Sequence, residues 1–299
     1  MKKRNVRRGQ ILSVTEVRRI GGGAASRVYS LDNGDIVKVL KHGSAEDAER
    51  EILLSKWAFL KGIPTAISYD VAEVDGHPGL VYEFLGRENL RNAFRDRPEC
   101  FDELMNDYLT LLHTINGVTD DEAYLPKAID IYRSALKGLS DLLTEEENAK
   151  ANALLDSIPD VSTIIHGDCQ IKNVRVVNGK LFLIDLDTLS RGDPIFELAA
   201  LFCCYRCYSS LSDESYDTFF DIPTEMLKRI LDGVLDGYYP GLSKEAREAN
   251  ARKTALLGWL ITASYVREDS PDDSASLKLL LDRFRETLAV VDDLRLTRN

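Results

Sequence analysis

Three polar side chains in the second half of the chain have the types and the spacing of a phosphoryl-transfer site. Asp168 follows His166 and Gly167, Asn173 lies five residues further on, and Asp185 lies twelve residues after Asn173. An aspartate, an asparagine and a second aspartate can hold an acceptor hydroxyl and Mg²⁺ around a nucleotide phosphate when a loop and a strand fold back together. The spacing therefore predicts phosphoryl-transfer chemistry.

The elements upstream of these residues are those that a nucleoside triphosphate site requires. Residues 11–20 alternate loosely as a strand, the glycine-rich residues 21–25 interrupt it, and residues 26–30 begin a second strand. Residues 32–34, Asp-Asn-Gly, favour a hairpin turn because Asn and Gly tolerate positive φ. This order predicts a glycine loop between two strands, whose backbone N–H groups would neutralise phosphate charge.

A lysine strand and an acidic helix follow the glycine loop. The strand predicted over residues 36–40 alternates so that Lys38 lies on one face between apolar neighbours, and the helix-forming residues 45–60 carry Glu49 and Glu51. In a phosphoryl-transfer site a lysine neutralises the triphosphate and a helix glutamate fixes the position of that lysine. The chain thus supplies both partners in the required order.

Each of these features also has an ordinary structural explanation when it is taken alone. The glycine run is not a full G-x-G-x-x-G, and such runs are more often turns than phosphate clamps. A lysine in a strand usually lies at a solvated edge, and a helix glutamate is usually exposed. Independent features seldom fall into one catalytic order, so the complete set favours a kinase-like site.

The motifs that carry this order resemble those of the aminoglycoside phosphotransferase and choline kinase family of small-molecule kinases. The resemblance extends over residues 14–200. It is most specific in residues 166–173, His-Gly-Asp-Cys-Gln-Ile-Lys-Asn, and in residues 183–199, which contain Leu-Ile-Asp-Leu-Asp and Gly-Asp-Pro-Ile-Phe-Glu-Leu-Ala. It implies an α+β fold, namely a bilobal protein-kinase-like fold with an antiparallel-sheet N-lobe and a mostly helical C-lobe.

The resemblance also implies a role for each matching residue. Asp168 corresponds to the catalytic aspartate, Asn173 and Asp185 to the magnesium ligands, Lys38 to the contact with the α- and β-phosphates, and Glu51 to its ion-pair partner. Residues 81–85 resemble the last N-lobe strand and the hinge, whose backbone would bind the adenine edge. The nucleotide-binding residues implied in this way are Gly22, Gly23, Ser26, Val28, Lys38, Glu51, Glu83, Leu85 and Ile184. The expected cofactors are ATP, with GTP left open, and Mg²⁺.

The chain departs from protein kinases in ways that favour a small-molecule acceptor. Gly167 stands where kinases of the His-Arg-Asp type carry arginine, so a phosphorylated activation loop would find no basic partner there. Only eight residues separate Asp185 from Asp193, which leaves no room for a long activation segment. The metal aspartate is followed by Leu186 and Asp187 rather than Phe-Gly. Asp187 is therefore either a group that supports the metal or the substrate, or a surface carboxylate.

Composition agrees with a cytoplasmic two-lobe enzyme. With 299 residues, of which 44% are hydrophobic, the chain can bury two lobes. We expect no targeting segment and no bilayer-spanning run, so neither a membrane nor a nucleic acid is an expected partner, and the oligomeric state stays open. Cys203 and Cys207 share one helix face and are expected to be packed thiols rather than zinc ligands.

Charge and aromatic residues leave the acceptor open. Residues 1–86 carry 13 Lys and Arg against 11 Asp and Glu, whereas the remainder carries 25 against 38. Acidic walls in the C-lobe would attract a cationic hydroxylated compound, although an acidic helical surface is the simpler explanation. The aromatic residues between positions 205 and 265 are consistent with either a core or a cage for a quaternary ammonium group.

The predicted architecture assigns residues 1–86 to a nucleotide-binding N-lobe and residues 87–299 to a catalytic and acceptor-binding C-lobe, with ATP in the cleft between them. A five-stranded antiparallel sheet and one main helix are expected over about residues 10–84. Helices are expected at 99–115, 126–143, 145–157, 194–208, 223–235, 244–266 and 274–294, and short strands at 163–165, 174–177 and 181–185, with Asn178 and Gly179 forming a turn.

The leading functional hypothesis is ATP-dependent transfer of the γ-phosphate to a hydroxyl of an aminoglycoside-, amino alcohol- or sugar-like molecule. An atypical protein kinase is the second hypothesis, and the short segment between Asp185 and Asp193 argues against it. A non-catalytic nucleotide-binding module is the third. It is disfavoured because Lys38, Asp168 and Asn173 are present together with Asp185.

Overall fold

A computed structural model of the chain describes residues 10–12, 17–22, 26–211 and 219–298. The chain divides into two compact units. The first runs up to Asn89 and adds Val174–Asp187; the second contains Leu90–Asn173 and Thr188–Asn299. From the sequence we predicted a boundary after residue 86 and placed residues 174–187 in the second domain, whereas these residues belong to the first unit. Within the described ranges, no helix is both long enough and apolar enough to span a bilayer.

The first unit is built on a six-stranded sheet. Its strands are β1 (Gln10–Leu12), β2 (Arg18–Gly22), β3 (Ser26–Ser30), β4 (Ile36–Leu40), β5 (Ser68–Val74) and β6 (His77–Tyr82), in the spatial order β1-β5-β6-β4-β3-β2. All pairs are antiparallel except β1 with β5, which is parallel. The prediction of five antiparallel strands was therefore wrong in its count and at this edge, because β1 adds a parallel strand beside β5.

The strand predicted over residues 11–20 is divided into β1 and β2, and residues 13–16 lie outside the described part of the chain. The alternation that suggested one strand therefore belongs to two strands at opposite edges of the sheet. Loose alternation alone does not show where a strand is interrupted.

Helix α1 (Ala45–Leu60) packs on this sheet. It begins with a capping box, in which the Ser44 side chain accepts from the Asp47 amide and the Asp47 side chain accepts from the Ser44 amide. Ala48 and Ile52 are buried in a cluster with Leu80 of β6. Because residues three or four apart share a helix face, this packing also turns residue 51 inward, and Glu51 is only 8% exposed.

Two further strands complete the first unit. β8 (Val174–Val177) pairs antiparallel with β9 (Lys180–Leu183), and the predicted turn between them is confirmed. Asn178 and Gly179 have φ values of 50° and 73°, as a tight turn with two left-handed residues requires. Thr65 donates a hydrogen bond to the Leu183 carbonyl at 2.9 Å, which ties the hairpin to the loop after α1.

The second unit is mostly helical, as predicted. Its helices are α2 (Leu90–Asp96), α3 (Phe101–Asn116), α4 (Ala128–Leu139), α5 (Glu145–Asp156), α6 (Ile195–Phe202), α7 (Thr224–Gly237), α8 (Lys244–Asp269) and α9 (Ser274–Val290). The short strands β7 (Ile164–Ile165) and β10 (Ser190–Arg191) pair antiparallel. Helix α2 was not predicted, and α9 ends at Val290 rather than at residue 294.

The helix predicted over residues 194–208 changes its type within the buried interior. It is α-helical only to Phe202 and then π-helical over Cys203–Cys207, where the Tyr208 amide donates to the Cys203 carbonyl. Cys203 and Cys207 are buried free thiols, which confirms the prediction for these cysteines. Burial raises the pKa of the Cys203 thiol to about 12, so this side chain stays a neutral packing group.

The last described residues pack back onto the helices of the second unit. Leu294 and Leu296 are buried, and Asn250 exchanges two hydrogen bonds of 2.9 Å with the backbone of Thr297. The guanidinium of Arg298 lies 2.6 Å from the carboxylate of Asp193, whose side chain has no exposed surface. The tail thus neutralises a buried carboxylate just before α6.

Candidate active site

The first unit brings together a lysine and two carboxylates. Lys38 lies in the middle of β4, opposite Val28 on one side and Leu80 on the other. Its Nζ lies 2.9 Å from Oε1 of Glu51 and 2.7 Å from Oδ1 of Asp185. The predicted pair of Lys38 with Glu51 is present, and Asp185 is a second partner that the sequence did not predict.

The charges of this cluster outweigh the effect of burial on the lysine. Burial alone would lower the pKa of Lys38, but Asp185 and then Glu51 raise it, and the net pKa lies well above the ordinary value. The Tyr82 hydroxyl donates to Oε1 of Glu51 at 2.6 Å, the same oxygen that accepts from Lys38. Glu51 is thereby held from two directions and keeps the ammonium in place.

Asp185 lies just beyond β9 rather than inside a strand. The prediction of a strand over residues 181–185 was wrong at its end, because β9 stops at Leu183 and Asp185 has a φ of 68°. Left-handed backbone is uncommon for a residue other than glycine and often marks a functional position. The conformation turns the carboxylate toward Lys38, while the next side chain, Leu186, is buried.

Asp187 stands two residues after Asp185. Desolvation and then the neighbouring charge of Asp185 raise the pKa of Asp187, although its side chain remains accessible to solvent. It lines a cavity of about 290 Å³ in the first unit, together with Glu51. Asp185 and Asp187 repel each other, and Lys38 is the lysine that offsets their charge. An additional cation beside them would reduce this repulsion further.

The glycine-rich segment predicted to bind phosphate lies between the paired strands β2 and β3 in the sequence. Gly22 pairs with Arg27 and has a φ of 138°. A Cβ atom at position 22 would approach the Ser26 carbonyl oxygen to 2.7 Å, so only glycine fits. Ser26 and Val28 are half-buried residues of β3, whereas the predicted residue Gly23 lies outside the described residues.

The predicted adenine-binding residues follow β6. Glu83 is exposed and Leu85 is half-buried. Within the described ranges, neither residue's backbone takes part in a hydrogen bond to another backbone group. Ile184, also predicted to contact nucleotide, is half-buried between Leu183 and Asp185.

The second unit carries the loop that contains Asp168. Nδ2 of Asn173 donates to Oδ2 of Asp168 at 2.6 Å and to the Asp168 carbonyl at 3.0 Å. The Asp168 amide donates to Nδ1 of the fully buried His166 at 3.2 Å, which requires an unprotonated Nδ1. The amide of Asn173 thus orients the carboxylate and leaves its own Oδ1 as the side-chain acceptor.

Gly167 gives the loop a conformation that other residues rarely adopt. Its φ is 79°, and a Cβ atom there would lie 3.1 Å from the Thr188 carbonyl oxygen. The Thr188 hydroxyl donates to the His166 carbonyl at 2.7 Å, so the neighbouring chain is held close. Gly167 is therefore required by the backbone as well as being a departure from the His-Arg-Asp pattern.

Glu197 holds this loop from below and was not assigned a role from the sequence. Its fully buried carboxylate accepts from the amides of His166 at 2.6 Å and Gly167 at 3.3 Å. Burial raises the pKa of Glu197 to about 7, and hydrogen bonds from His166, Gly167, Asn116 and Cys169 oppose the shift. The sequence does contain one signal for this role, because Glu197 stands among apolar residues at the start of α6. A glutamate is seldom fully buried unless it has hydrogen-bond partners.

Tyr265 lies on α8 and interacts electrostatically with Asp168, and Glu268 and Asp269 follow it on the same helix. Partial burial, then Cys203 and Asp168, raise the pKa of Tyr265 to about 12, and Glu268 and Asp269 add to the shift. Tyr265 is 40% exposed, and both carboxylates are exposed. The surface around Tyr265 in the second unit therefore combines an aromatic ring with negative charge.

Lys172 is the basic residue of the same loop. Its Nζ donates to the Phe219 carbonyl at 3.1 Å and lies 3.5 Å from the centre of the Phe219 ring. Burial and then Arg91 lower the pKa of Lys172, and Asp168 opposes the shift. The ammonium is directed at Phe219 and holds that residue beside the loop.

The donor set fits a metal that arrives with a nucleotide. No group of three or more His, Cys, Asp or Glu side chains in the described ranges is arranged to hold a metal ion by itself. Mg²⁺ in nucleotide sites takes only one or two protein ligands and fills the remaining positions with phosphate oxygens and water. The side-chain oxygens of Asp185 in the first unit and of Asn173 in the second unit are of the kind that Mg²⁺ prefers.

A sequence comparison matches residues 16–239 to the profile of the phosphotransferase enzyme family. No curated protein sequence matches the chain. The matched range begins before β2, ends after α7 and includes every residue predicted to act in the site.

Solved structures of kinases share the fold. An ADP-bound aminoglycoside phosphotransferase APH(2'')-Ib is 19% identical with a TM-score of 0.59, over 91% of this chain and 94% of that chain. The amicoumacin kinase hAmiN, in complex with AMP-PNP, Ca²⁺ and Ami, is 15% identical with a TM-score of 0.58, over 95% and 92%. A choline/ethanolamine kinase family protein from Mesorhizobium loti is 15% identical with a TM-score of 0.54, over 91% and 87%.

Proposed function

This chain belongs to the phosphotransferase enzyme family, and we propose that it transfers the γ-phosphate of ATP to a hydroxyl group of a small molecule. The family membership confirms the resemblance indicated by the motifs and makes the chain a kinase-type phosphotransferase. The observation that carries the proposal is the position of Lys38, whose ammonium is held by Glu51 and Asp185 at 2.9 and 2.7 Å.

The first unit would bind the nucleotide. Lys38 would contact the α- and β-phosphates, and Glu51 would keep the lysine oriented. The hairpin at Gly22 would bring backbone N–H groups to the phosphates, because a residue without Cβ permits a close approach. The remaining nucleotide contacts would be made by Gly23, Ser26, Val28, Glu83, Leu85 and Ile184, of which Glu83 and Leu85 would bind the adenine edge through their backbone.

Asp185 and Asn173 are the proposed metal ligands. A bound Mg²⁺ would neutralise charge on the β- and γ-phosphates. Lys38 donates to Oδ1 of Asp185, so the carboxylate could bind the lysine through one oxygen and a metal through the other. Because Nδ2 of Asn173 donates to Asp168, Oδ1 of Asn173 is the atom that would face a metal.

Asp168 is the proposed catalytic residue. Its carboxylate would accept a hydrogen bond from the acceptor hydroxyl, orient it toward the γ-phosphate and take its proton late in the transfer. Asn173 holds one carboxylate oxygen at 2.6 Å, which orients the carboxylate that would receive the acceptor hydroxyl. In this proposal the first unit, which includes residues 174–187, would bind the nucleotide, and the second unit would bind the acceptor.

A cationic acceptor is the class that the second unit supports best. Tyr265, which interacts electrostatically with Asp168, and the neighbouring Glu268 and Asp269 present an aromatic ring and two carboxylates, which suit an amine-bearing alcohol. The structures with the same fold include a gentamicin complex of APH(2'')-IIa and a streptomycin–ATP complex of the same protein. Those ligands belong to those proteins, and they define the first compounds to test here.

The deciding experiment measures ADP release from Mg-ATP across a library of aminoglycosides, amino alcohols and sugars. One class should accelerate ADP release over the acceptor-free rate, and mass spectrometry should find the phosphate adduct. Asp168→Asn should lower kcat by about two orders of magnitude or more with nearly unchanged nucleotide affinity. Asp160→Asn is the matched control, because that carboxylate is exposed and pairs with Lys127.

The proposal fails if no acceptor accelerates ADP release and Mg-ATP at millimolar concentration does not raise the melting temperature of the folded protein. A thermal shift without turnover would instead indicate a nucleotide-binding protein that lacks transferase activity.

A further inference from the structure

The four residues between Asp168 and Asn173 form a buried turn. Cys169 and Ile171 have no exposed surface, and the Asn173 amide donates to the Gln170 carbonyl at 2.8 Å. The turn brings the catalytic aspartate and the asparagine side by side. Its backbone geometry therefore decides whether the contact between their side chains is made.

Two tyrosines from separate elements hold this turn. Tyr108 lies on α3, and Tyr205 lies in the π-helical segment Cys203–Cys207. The Tyr108 hydroxyl donates to the Cys169 carbonyl at 2.5 Å, and the Ile171 amide donates to the Tyr205 hydroxyl at 2.8 Å. The two hydroxyl oxygens are 3.3 Å apart.

These contacts form a hydrogen-bond chain, and the number of hydroxyl hydrogens gives it a direction. A tyrosine hydroxyl has one hydrogen, and that of Tyr108 is used by the Cys169 carbonyl. In the contact between the two hydroxyls Tyr108 can therefore only accept, so Tyr205 donates. Three hydrogen bonds then run one way, from the Ile171 amide through both tyrosines to the Cys169 carbonyl.

The hydrogen-bond chain is buried, and its two hydroxyl groups do not ionise at physiological pH. Both tyrosines are 0% exposed, and burial raises the pKa of Tyr108 and of Tyr205 well above the ordinary value. Both hydroxyls therefore stay protonated at physiological pH. A buried amide or carbonyl that loses such a partner has no solvent to replace it.

We propose that Tyr108 and Tyr205 are positioning residues for phosphoryl transfer, which hold the backbone on both sides of Gln170 so that Asp168 and Asn173 keep their contact. This inference rests on the proposed function, because it assigns the tyrosines to the loop that carries Asp168. The π-helical segment serves this purpose, since Tyr205 packs its ring on the buried Phe220 while its hydroxyl reaches Ile171.

The kinetic test uses Tyr108→Phe, Tyr205→Phe and the double variant, measured as ADP release from Mg-ATP with water as the acceptor. Each single variant should lower kcat about tenfold to a hundredfold, the effect of moving a catalytic group by up to 1 Å, while KM for ATP changes less than about twofold. The double variant should lie within about threefold of the worse single variant, because one missing hydroxyl already breaks the chain. Tyr132→Phe is the matched control, since this buried tyrosine packs on Phe196.

Amide hydrogen exchange of Ile171 tests the direction of the chain without catalysis. In Tyr205→Phe this amide loses its acceptor and should exchange at least about tenfold faster. In Tyr108→Phe the Tyr205 oxygen still accepts, so Ile171 should stay protected. A variant with only general destabilisation would accelerate the exchange of amides throughout the second unit.

The inference is overturned if both folded single variants keep wild-type kcat, or if Ile171 stays equally protected in Tyr205→Phe. Should Tyr205→Phe not fold, kcat and Ile171 protection in Tyr108→Phe decide. A wild-type protein that releases no ADP with water or with any acceptor of the library would count against the proposed function instead, and the exchange pattern would still test the hydrogen-bond chain.

Discussion

Replacing Glu197 by glutamine should remove a pH dependence from the stability of the protein. The carboxylate is fully buried and accepts from the amides of His166 and Gly167. Burial raises the pKa of Glu197 from 4.5 to about 7 against the opposing effect of those amides. The proton is therefore bound more tightly in the folded protein than in the unfolded chain.

The sign follows from that difference. A group whose pKa is raised by folding stabilises the folded state fully below its unfolded pKa and loses this contribution as the pH rises through the folded value. With the pKa of Glu197 going from 4.5 to about 7, its contribution to the free energy of unfolding should fall by about 2 kcal/mol between about pH 5.5 and about pH 8.5.

Urea unfolding of the wild type and of Glu197→Gln at these two pH values measures the effect. Glutamine keeps the size of the side chain but turns an NH₂ group toward one of the loop amides, so the variant should be less stable at the lower pH by about 1–3 kcal/mol or more. The wild type's advantage should then shrink by about 2 kcal/mol at the higher pH. The other titrating groups are common to both proteins, and Glu103→Gln on the exposed face of α3 is the control.

An advantage of the wild type that stays constant with pH, or that grows as the pH rises, would refute this reasoning. It would mean that the two loop amides stabilise the ionised carboxylate more than burial destabilises it. The pKa of Glu197 in the folded protein would then lie at or below its ordinary value.

Three further outcomes are expected. Lys38→Met should lower kcat/KM for ATP by about two orders of magnitude or more, whereas Glu51→Gln should lower it less because the lysine remains. Equal losses would contradict this prediction and would mean that Lys38 contributes nothing unless Glu51 orients it. Asp185→Asn should abolish the extra thermal shift that Mg²⁺ adds to ATP, and an unchanged shift would exclude Asp185 as a metal ligand. Arg298→Ala should destabilise the protein by about 1–2 kcal/mol at neutral pH in urea unfolding, because it strands the buried Asp193 carboxylate, and the value is reduced by the partial exposure of the arginine. No loss would mean that the tail does not stabilise the fold.

Local chemistry made turns and helix starts predictable. Asn178 and Gly179 both adopt the left-handed conformation that their types favour. The helix expected from residue 145 begins there because Thr144 and Glu147 form a capping box. In these cases the deciding interactions lie within a few residues of each other in the chain.

The partner of Lys38 was predictable for a different reason. Glu49 and Glu51 compete in sequence, but the helix period places only Glu51 on the face that packs on the sheet, and Glu49 is exposed. The second partner, Asp185, is 147 residues away and lies where a left-handed residue ends the strand. No local pattern encodes that bend.

The supports of the loop that carries Asp168 escaped prediction because they are side chains that bind backbone groups. Tyr205 was grouped with aromatic residues of a core or a cage, and its bond to the Ile171 amide depends on the π-helical turn. Glu197 accepts from amides that any sequence would supply. Contacts of this kind leave no complementary residue type for sequence reasoning to find.

The backbone at Gly167 limits how this enzyme can acquire new regulation. A residue with a side chain would be strained at a φ of 79°, and its Cβ atom would lie 3.1 Å from the Thr188 carbonyl oxygen. An arginine here, which is the residue that protein kinases of the His-Arg-Asp type carry, cannot be introduced by one substitution without moving the loop beside Asp168. A variant with arginine at position 167 would thus have impaired catalysis before any phosphorylation control could arise. Selection would act against that intermediate.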